Sequence, residues 1–569
     1  MIDSPFNVVF LFNIIVLVAI AFFQSVKSVK TWQRKEYRFD KMADFFKTRE
    51  ALLFVFDEPF YLLSLFILLS ISPLYTETNG RLLLLAQTLL TGFLLTTATW
   101  FIVKAIQKKL HPVITTKSIL LVSLTSILLI ASASAAFFTQ LTLFLLPLLV
   151  PFAATYVVIV ILYPLDLFFK NRIWQKAQKY RTLALQNTKV IAVSGSYGKT
   201  TVKEFLAQLL QIKFRTEKTL KYQNTTLSVA QRILSLHKKT EVFVCEIGAY
   251  RVGDGIDMCV FALPNAAIIT GLNDQHYSLF GSSQNIIQAE SESLQFLKKG
   301  DPVLINMNSE MCRQIQVPKH LNLIKYGLAD STNPTPLDYF ADELFFDGQF
   351  TQFTLHIQEK TLRIKTNTLS TGNIQNLVGA IAMAHTLGVP LSEITQLITH
   401  LSLPEGTLEI TPQPWGKLID DSHNANLDGV LNALNLVQQF HLPSIIALDE
   451  IMELGDKAED AHKKVAQAVA KLAPKAVVLL GKSYPDIIRS ELIHLQYPHH
   501  QIFLSDGSNT SEIIGFVQKH IGYSSTSELE GEDTLNTQSP QQISQKNSQE
   551  TILLCEGFRT SVIAKSFEK

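Results

Sequence analysis

The sequence predicts an α-helical transmembrane region followed by α/β structure, with a central P-loop domain and a C-terminal Rossmann-like domain. Three observations carry that prediction. Long uncharged runs crowd the first third of the chain. Past Arg181 short β-rich runs alternate with helical patterns, which is the mark of a parallel sheet with helices on its faces. One strand–turn–helix passage, from Lys189 to Leu210, carries the residues of an anion-binding loop. The 569 residues divide accordingly into a membrane region at 1–169, a central domain at 185–400 and a C-terminal domain at 401–569. Composition agrees: 47% of residues are hydrophobic and only 17% charged, with a mean hydropathy of +0.19, against about 25% charged in an ordinary soluble domain. Lys and Arg number 50 against 49 Asp and Glu, so no global basic field recruits nucleic acid. Cys245, Cys259, Cys312 and Cys555 are too scattered for a disulfide framework and form no C-x-x-C pair, which fits a reducing compartment.

The apolar excess resolves into four uncharged runs: Pro5 to Val26, Pro59 to Thr76, Leu82 to Val103 and Ser118 to Leu165. A helix needs roughly 20 residues to cross a bilayer, so the first three runs read as single spans. The fourth has 48 residues and reads as two, broken near Thr139-Gln140, which makes five. Lys27, Lys30, Arg34, Lys35, Arg38, Lys41, Lys47 and Arg49 follow the first run, and Lys104, Lys108, Lys109 and Lys117 follow the third, whereas Arg81 stands alone on the other side. Basic loops stay cytoplasmic. The expected arrangement is a multi-pass protein of the cell membrane with its N-terminus outside and everything after Phe169 in the cytoplasm. No charge sits mid-span, so the spans read as an anchor or a lipid-facing groove rather than an ion relay. The segment from Lys27 to Glu50 mixes basic and aromatic residues. It reads either as an amphipathic helix on the anionic leaflet or as a solvated connector.

Lys189 to Ser194 (KVIAVS) reads as a buried strand. Gly195-Ser196-Tyr197-Gly198-Lys199-Thr200-Thr201 follows, and then an amphipathic helix through Leu210. Backbone N–H groups and the helix dipole at such a turn face phosphates, Lys199 supplies a point charge, and the Thr200 hydroxyl suits Mg²⁺. Val193 stands where the strict phosphate-loop pattern has its first glycine. Nucleotide binding is the expected property of this passage.

The G-x-x-G-K-T-T variant after a hydrophobic strand resembles the Mur ligase superfamily, and further segments resemble that family in its own order. Glu241 to Tyr250 (EVFVCEIGAY) resembles the strand whose Glu holds Mg²⁺, which places that role on Glu246. Ala267 to Leu279 (AIITGLNDQHYSL) resembles the segment with a metal-binding His, here His276. Asn373-Ile374-Gln375-Asn376 followed by Ala380 resembles the segment that borders adenine. Asp420-Asp421-Ser422-His423-Asn424-Ala425-Asn426 resembles the D-D-x-Y-N-A-N-P box, placing Asp421 and Asn424 near the ribose or the hinge. Glu450 to Gly455 (EIMELG) with His462 resembles a stretch of the family's C-terminal domain. The matches run from Lys189 to Phe567, and the last two point to the branch that joins D-alanyl-D-alanine to a UDP-muramoyl tripeptide.

Departures accompany the matches. The family's carbamylated lysine falls on Glu290, read either as a direct carboxylate ligand or as a solvated helix residue. Thr407 occupies an Arg position, Gly372 a His position, His423 a Tyr position and Leu427 a Pro position. Membrane runs and the basic stretch Lys170 to Arg181 take the place of the family's UDP-binding domain. The resemblance implies an ATP- and Mg²⁺-dependent acid–amino-acid ligase of cell-wall synthesis. Gly195 to Thr201, Asn373, Asn376, Asp421 and Asn424 would hold nucleotide, Lys199 and His276 would be catalytic, and Thr200, Glu246, His276 and Glu290 would hold metal. The partners implied are a nucleotide- or lipid-linked peptidoglycan precursor, an amino-acid or dipeptide amine, and the bilayer. A nucleotide-gated membrane protein is the competing reading, disfavoured by the uncharged spans. Between Tyr523 and Glu550 a Ser/Gln/Glu/Thr/Asn-rich stretch reads as a disordered insertion.

Overall fold

The computed structural model describes residues 22–23, 25–35, 37–46, 113–139, 151–220, 223–329, 336–358, 360–404, 407–422, 425–507, 509–521 and 550–568. The expected spans at 59–76 and 82–103, most of the first span, and the expected insertion lie outside these residues, as does Asn424. The chain divides into two compact units, Met1–Asn171 and Arg172–Lys569.

In the first unit, helices occupy Thr116–Thr139 and the part of Pro151–Leu183 that precedes Arg172. They lie where the sequence places the double span, with 140–150 outside the described residues. Among the described residues one helix, Ala153–Leu183, is long and apolar enough to cross a membrane by length and composition. Val26, Val29, Trp32, Met42 and Phe45 bury against Leu121, Val122, Val158 and Ile159. Trp32 and Phe45 of the basic–aromatic segment are therefore packed on helices rather than displayed on a surface. Asp166, just past the last uncharged run, takes Lys117 and Lys170 at 2.8 Å each.

The second unit holds two sheets. The first runs β2-β3-β1-β4-β5-β6-β7-β8-β9, with β1 Lys189–Ser194, β2 Thr216–Lys218, β3 Val242–Glu246, β4 Ala266–Ile269, β5 Pro302–Asn306, β6 Asn322–Leu328, β7 Tyr339–Phe346, β8 Thr351–Ile357 and β9 Lys360–Thr366. Pairing is parallel from β2 to β7 and antiparallel across β7, β8 and β9. Helices cover both faces, so the central strands are apolar throughout rather than alternating. Successive side chains of a strand still point to opposite faces. Ile191 and Val193 of β1 join Leu206, Leu209, Ile374 and Ile381 from the helices Lys199–Leu210 and Thr371–Thr386. Val190 and Ala192 join Val229, Ile233 and Met258 on the opposite side. From 172 onward the long helix packs on this second core through Ile173, Trp174 and Ala177. Arg181 ties it down, donating to the carbonyls of Ala262 at 3.0 Å and Thr188 at 2.9 Å.

The second sheet runs β10-β11-β15-β12-β13-β14, with β10 Glu409–Gln413, β11 Gly416–Asp421, β12 Ser444–Asp449, β13 Ala476–Leu480, β14 Ile502–Ser505 and β15 Thr551–Glu556. Among the described residues the β10–β11 hairpin is antiparallel and the remaining pairs of this sheet are parallel. Strand order reverses at β15, and in open α/β sheets ligands bind beyond the carboxyl ends of strands at such a switch. Asp421, Asp449 and Glu556 end β11, β12 and β15 at that edge.

The helix after the phosphate loop stands on the first core, so trimming it loosens the site from below. Leu206→Ala is expected to cost about 2–5 kcal/mol as a buried cavity, read as an earlier urea midpoint for the second unit. An unchanged midpoint would contradict this packing.

Candidate active site

The turn between β1 and the helix Lys199–Leu210 is held from two sides. Ser196 and Tyr197 donate their N–H groups to the Gly271 carbonyl at 2.7 and 3.2 Å, and the Thr270 hydroxyl donates to the Tyr197 carbonyl. Gly195, at φ +137°, runs so close to Thr270 that a Cβ would lie 2.3 Å from its Oγ1. Gly198 caps the helix at φ +80°, and a Cβ there would meet the Asn376 side chain at 2.4 Å. Both glycines are therefore required by close approach as well as by backbone angle. Lys199 folds back so that its Nζ reaches the carbonyls of Gly195 and Ser196. Tyr197 turns its ring against Gly271, and burial raises its phenol above the usual range.

Glu246 ends β3 beside the loop and is 5% exposed. The Thr200 hydroxyl lies 3.2 Å from each of its oxygens, Asn224 Nδ2 donates to Oε1 at 3.3 Å, and Lys203 Nζ sits 3.0 Å from Oε2. Lys203 and Asn224 escaped the sequence reading. The signal for Lys203 was present, since it lies one helical turn after Thr200 on the same face. Asn224, from a loop distant in sequence, gave none.

Glu290 corrects an expectation. It closes the helix Ser283–Glu290 and is buried, but its Oε2 accepts from Ser194 Oγ at 2.5 Å and from the Gly195 N–H at 2.8 Å. It supports the loop at its base and does not line the cleft in front of it. His276 does line the cleft, against the Tyr250 ring at 4.9 Å between centroids. Its Nδ1 lies 2.5 Å from Glu453 Oε2. The resemblance implies two separate ions, one on Thr200 with Glu246 and a second on His276 with Glu290. Among the described residues no three His, Cys, Asp or Glu side chains gather in one group, and Glu290 lies at the base of the loop, apart from His276 in the cleft. What remains toward Mg²⁺ is the oxygen pair of Thr200 and Glu246. These hard donors suit the ion, which usually takes few protein ligands and completes its shell from phosphates and water.

The opposite wall comes from Thr371–Thr386 and the C-terminal sheet. Ser370 caps that helix, accepting from the Asn373 N–H, and Asn373 and Asn376 face the loop across the cleft. Asn373 Nδ2 is buried with no partner among the described residues. Asn432 stitches the helix Leu427–Gln439 to this corner through the Gly372 N–H at 3.0 Å and Ser370 Oγ at 3.1 Å. Asn426 caps Leu427–Gln439, and Asn273 Nδ2 donates to Asp428 at 2.5 Å. The open cleft between these walls has a volume of about 460 Å³ and includes Lys199, Thr200, Glu246, His276, Asn373 and Asp421 on its walls. A larger cavity, about 670 Å³, runs along β10 past Ser402, Glu409, Lys417 and Phe440, but has no phosphate loop.

Glu453 owes its place to His462. That ring is fully buried, donates from Nδ1 to the Ala458 carbonyl at 2.6 Å and accepts the Ile451 N–H on Nε2 at 3.1 Å. Burial holds it below the usual histidine range, so it stays neutral and braces the 451–458 turn. Glu450 is likewise structural, accepting N–H groups from Lys482, Ser483 and Tyr484 and facing Arg559 at 3.0 Å.

Asp421 and Glu556 are register partners on β11 and β15. Burial pushes Asp421 up to about 6 and, together with the adjacent Asp421 carboxylate, holds Glu556 well above the carboxylate range. A raised acid favours folding below its unfolded value and loses that favour as pH rises through its folded value. Glu556→Gln, which mimics the protonated form, should therefore match the wild type near pH 4 and melt increasingly higher than it toward pH 8. Parallel melting curves across that range would contradict the buried acid pair.

Residues 193–384 match the Mur ligase middle domain. The UDP-N-acetylmuramoyl-tripeptide–D-alanyl-D-alanine ligase of Bacillus subtilis is 27% identical over 54% of this chain and 66% of its own length. That of Haemophilus influenzae is 27% identical over 50% of this chain and 62% of its own length. The matched stretch thus spans less than two thirds of these relatives. Among solved structures, MurF from Acinetobacter baumannii superposes with a TM-score of 0.59 at 23% identity, covering 70% of this chain and 81% of its own. MurF from Thermotoga maritima in complex with ADP gives 0.56 at 18% identity, covering 70% of this chain and 83% of its own. The second unit has the Mur ligase α/β fold, and the chain resembles the ligases that act on the muramoyl tripeptide.

Proposed function

We propose that this chain is an ATP-dependent amide ligase that activates a carboxylate as an acyl phosphate and joins it to D-alanyl-D-alanine or a similar amine in cell-wall synthesis. The observation that carries the proposal is the cleft itself. One wall is a phosphate loop with Lys199, Thr200 and Glu246, and the other combines the helix Thr371–Thr386 with a second α/β domain bearing Asp421 and the Asn426-capped helix. A two-walled site suits a reactive intermediate that water must not reach.

In the reaction proposed, an oxygen of the acceptor carboxylate attacks the γ-phosphorus of ATP and the bond from that phosphorus to the β-bridging oxygen breaks, releasing ADP. The amine nitrogen then attacks the acyl carbon, inorganic phosphate leaves, and the nitrogen gives up a proton. The loop N–H groups and Lys199 neutralise charge on the transferring group, where positioning and electrostatics do most of the work. The unpartnered Asn373 amide offers a donor to the base. Mg²⁺, when held by Thr200 and Glu246, would offset phosphate charge. His276, tied to Glu453 of the second wall, joins the two walls beside the reacting groups.

The membrane part of the proposal rests on the uncharged runs and on the twelve basic residues that follow the first and third of them. It makes the protein a multi-pass protein of the cell membrane with this cleft in the cytoplasm. The same runs precede the phosphate loop where the family carries a UDP-binding domain, which favours as a second reading an acceptor that is lipid-linked and met at the bilayer.

Full-length protein in detergent, given ATP, Mg²⁺ and D-alanyl-D-alanine with either UDP-muramoyl tripeptide or its lipid-linked counterpart, should release ADP and a new amide detectable by mass. The better acceptor separates the two readings. Lys199→Ala should lower turnover by about 10²–10³-fold, the usual loss on removing one electrostatic contact to a transition state. ATP hydrolysis that ignores every carboxylate acceptor would instead favour a nucleotide-gated protein.

A further inference from the structure

The helix Lys199–Leu210 carries a cation that the reaction scheme above does not use. Lys203 is 1% exposed, and it does not line the cleft. A lysine is rarely taken so far out of water unless it is paired. Its Nζ lies 3.0 Å from Glu246 Oε2 and 3.6 Å from Glu204 Oε1, and Glu204 in turn is paired with Lys218. Charges therefore alternate from Lys218 through Glu204 and Lys203 to Glu246, whose oxygens also meet the Thr200 hydroxyl at 3.2 Å.

We propose that Lys203 is a positioning residue for the divalent cation: from behind the cleft wall it donates to one oxygen of Glu246 and fixes the orientation of the carboxylate, leaving the edge by Thr200 set to receive the ion. The inference rests on the reading of Thr200 and Glu246 as the metal donors. Two effects of the ammonium oppose each other. As a like charge it repels the dication, and as a hydrogen-bond donor it orients the ligand. The second wins here because Glu246 is itself almost fully buried, and a carboxylate stripped of its partner in such a place turns toward whatever donor remains. Outer-shell partners of this kind are usually worth 10–100-fold in metal affinity.

The test is Mn²⁺ binding, followed by the loss of free-ion paramagnetic signal, to full-length protein in detergent with a non-hydrolysable ATP analogue, so that no turnover is needed. Lys203→Met keeps the stem of the side chain and removes the charge. It should raise the half-saturating Mn²⁺ concentration by about tenfold or more. Glu246→Gln should weaken binding as well, and the double variant should bind like Glu246→Gln alone, because Lys203 acts only through Glu246. Unchanged or tighter binding by Lys203→Met would overturn the proposal, and so would a double variant weaker than Glu246→Gln by a further tenfold. If Lys203→Met fails to fold, the double variant, which buries no lone charge, decides on its own by that comparison. Absence of Mn²⁺ binding by the wild type would sink the metal reading itself, whereas a binding wild type with an indifferent Lys203→Met would sink only the role of Lys203.

Discussion

At Gly195 and Gly198 the chain passes so near Thr270 and Asn376 that there is room for backbone and nothing more, and the rest of the site takes its shape from that crowding. One contact ties the loop to the exit of β4 and the other to the helix Thr371–Thr386. Both of those elements stand on the sheet whose core holds Leu206 and Ile381. Backbone donors at a helix start are useful only when they stay aimed at one point. Here the aim is set by apolar packing beneath and by two side chains pressed against glycines above.

Two buried glutamates flank the loop with different work. Glu290 satisfies Ser194 and the Gly195 N–H from below, so it belongs to the scaffold. Glu246 keeps one edge toward the cleft and is balanced from behind by Lys203. A carboxylate in the first position cannot also be a ligand in front of the loop. Spacing along the chain does not distinguish these places, because residue 290 reaches the loop through a helix whose tilt is a tertiary property. The same limit hid the pairing of His276 with Glu453, which are 177 residues apart.

What could be read from sequence was local. The strand KVIAVS, the glycine turn and the helix to Leu210 form one contiguous signal, and the structure has them at Lys189–Ser194 and Lys199–Leu210. The alternation of short β-rich runs with helical patterns past Arg181 is equally local, and β12 (SIIALD) and β13 (AVVLL) are two of those runs. Asn224 was not, since nothing in a single polar residue on a loop announces that it faces a strand end 22 positions later. His462 was noted only as part of a stretch that resembles the family, and its part as a neutral brace depends on burial that a sequence does not display.

The topology of the second sheet has a temporal side. Strand β15 is synthesised after all its neighbours, yet it lies between β11 and β12 and supplies the pairing that joins them. Until Thr551–Glu556 emerges from the ribosome, the hairpin β10–β11 and the ladder β12–β14 are two fragments with exposed, unpaired edges. The first sheet has no such dependence, for its strands end at Thr366. The nascent protein thus holds a finished phosphate loop well before it has a second wall, and loss of six late residues would leave the loop in place and the cleft open.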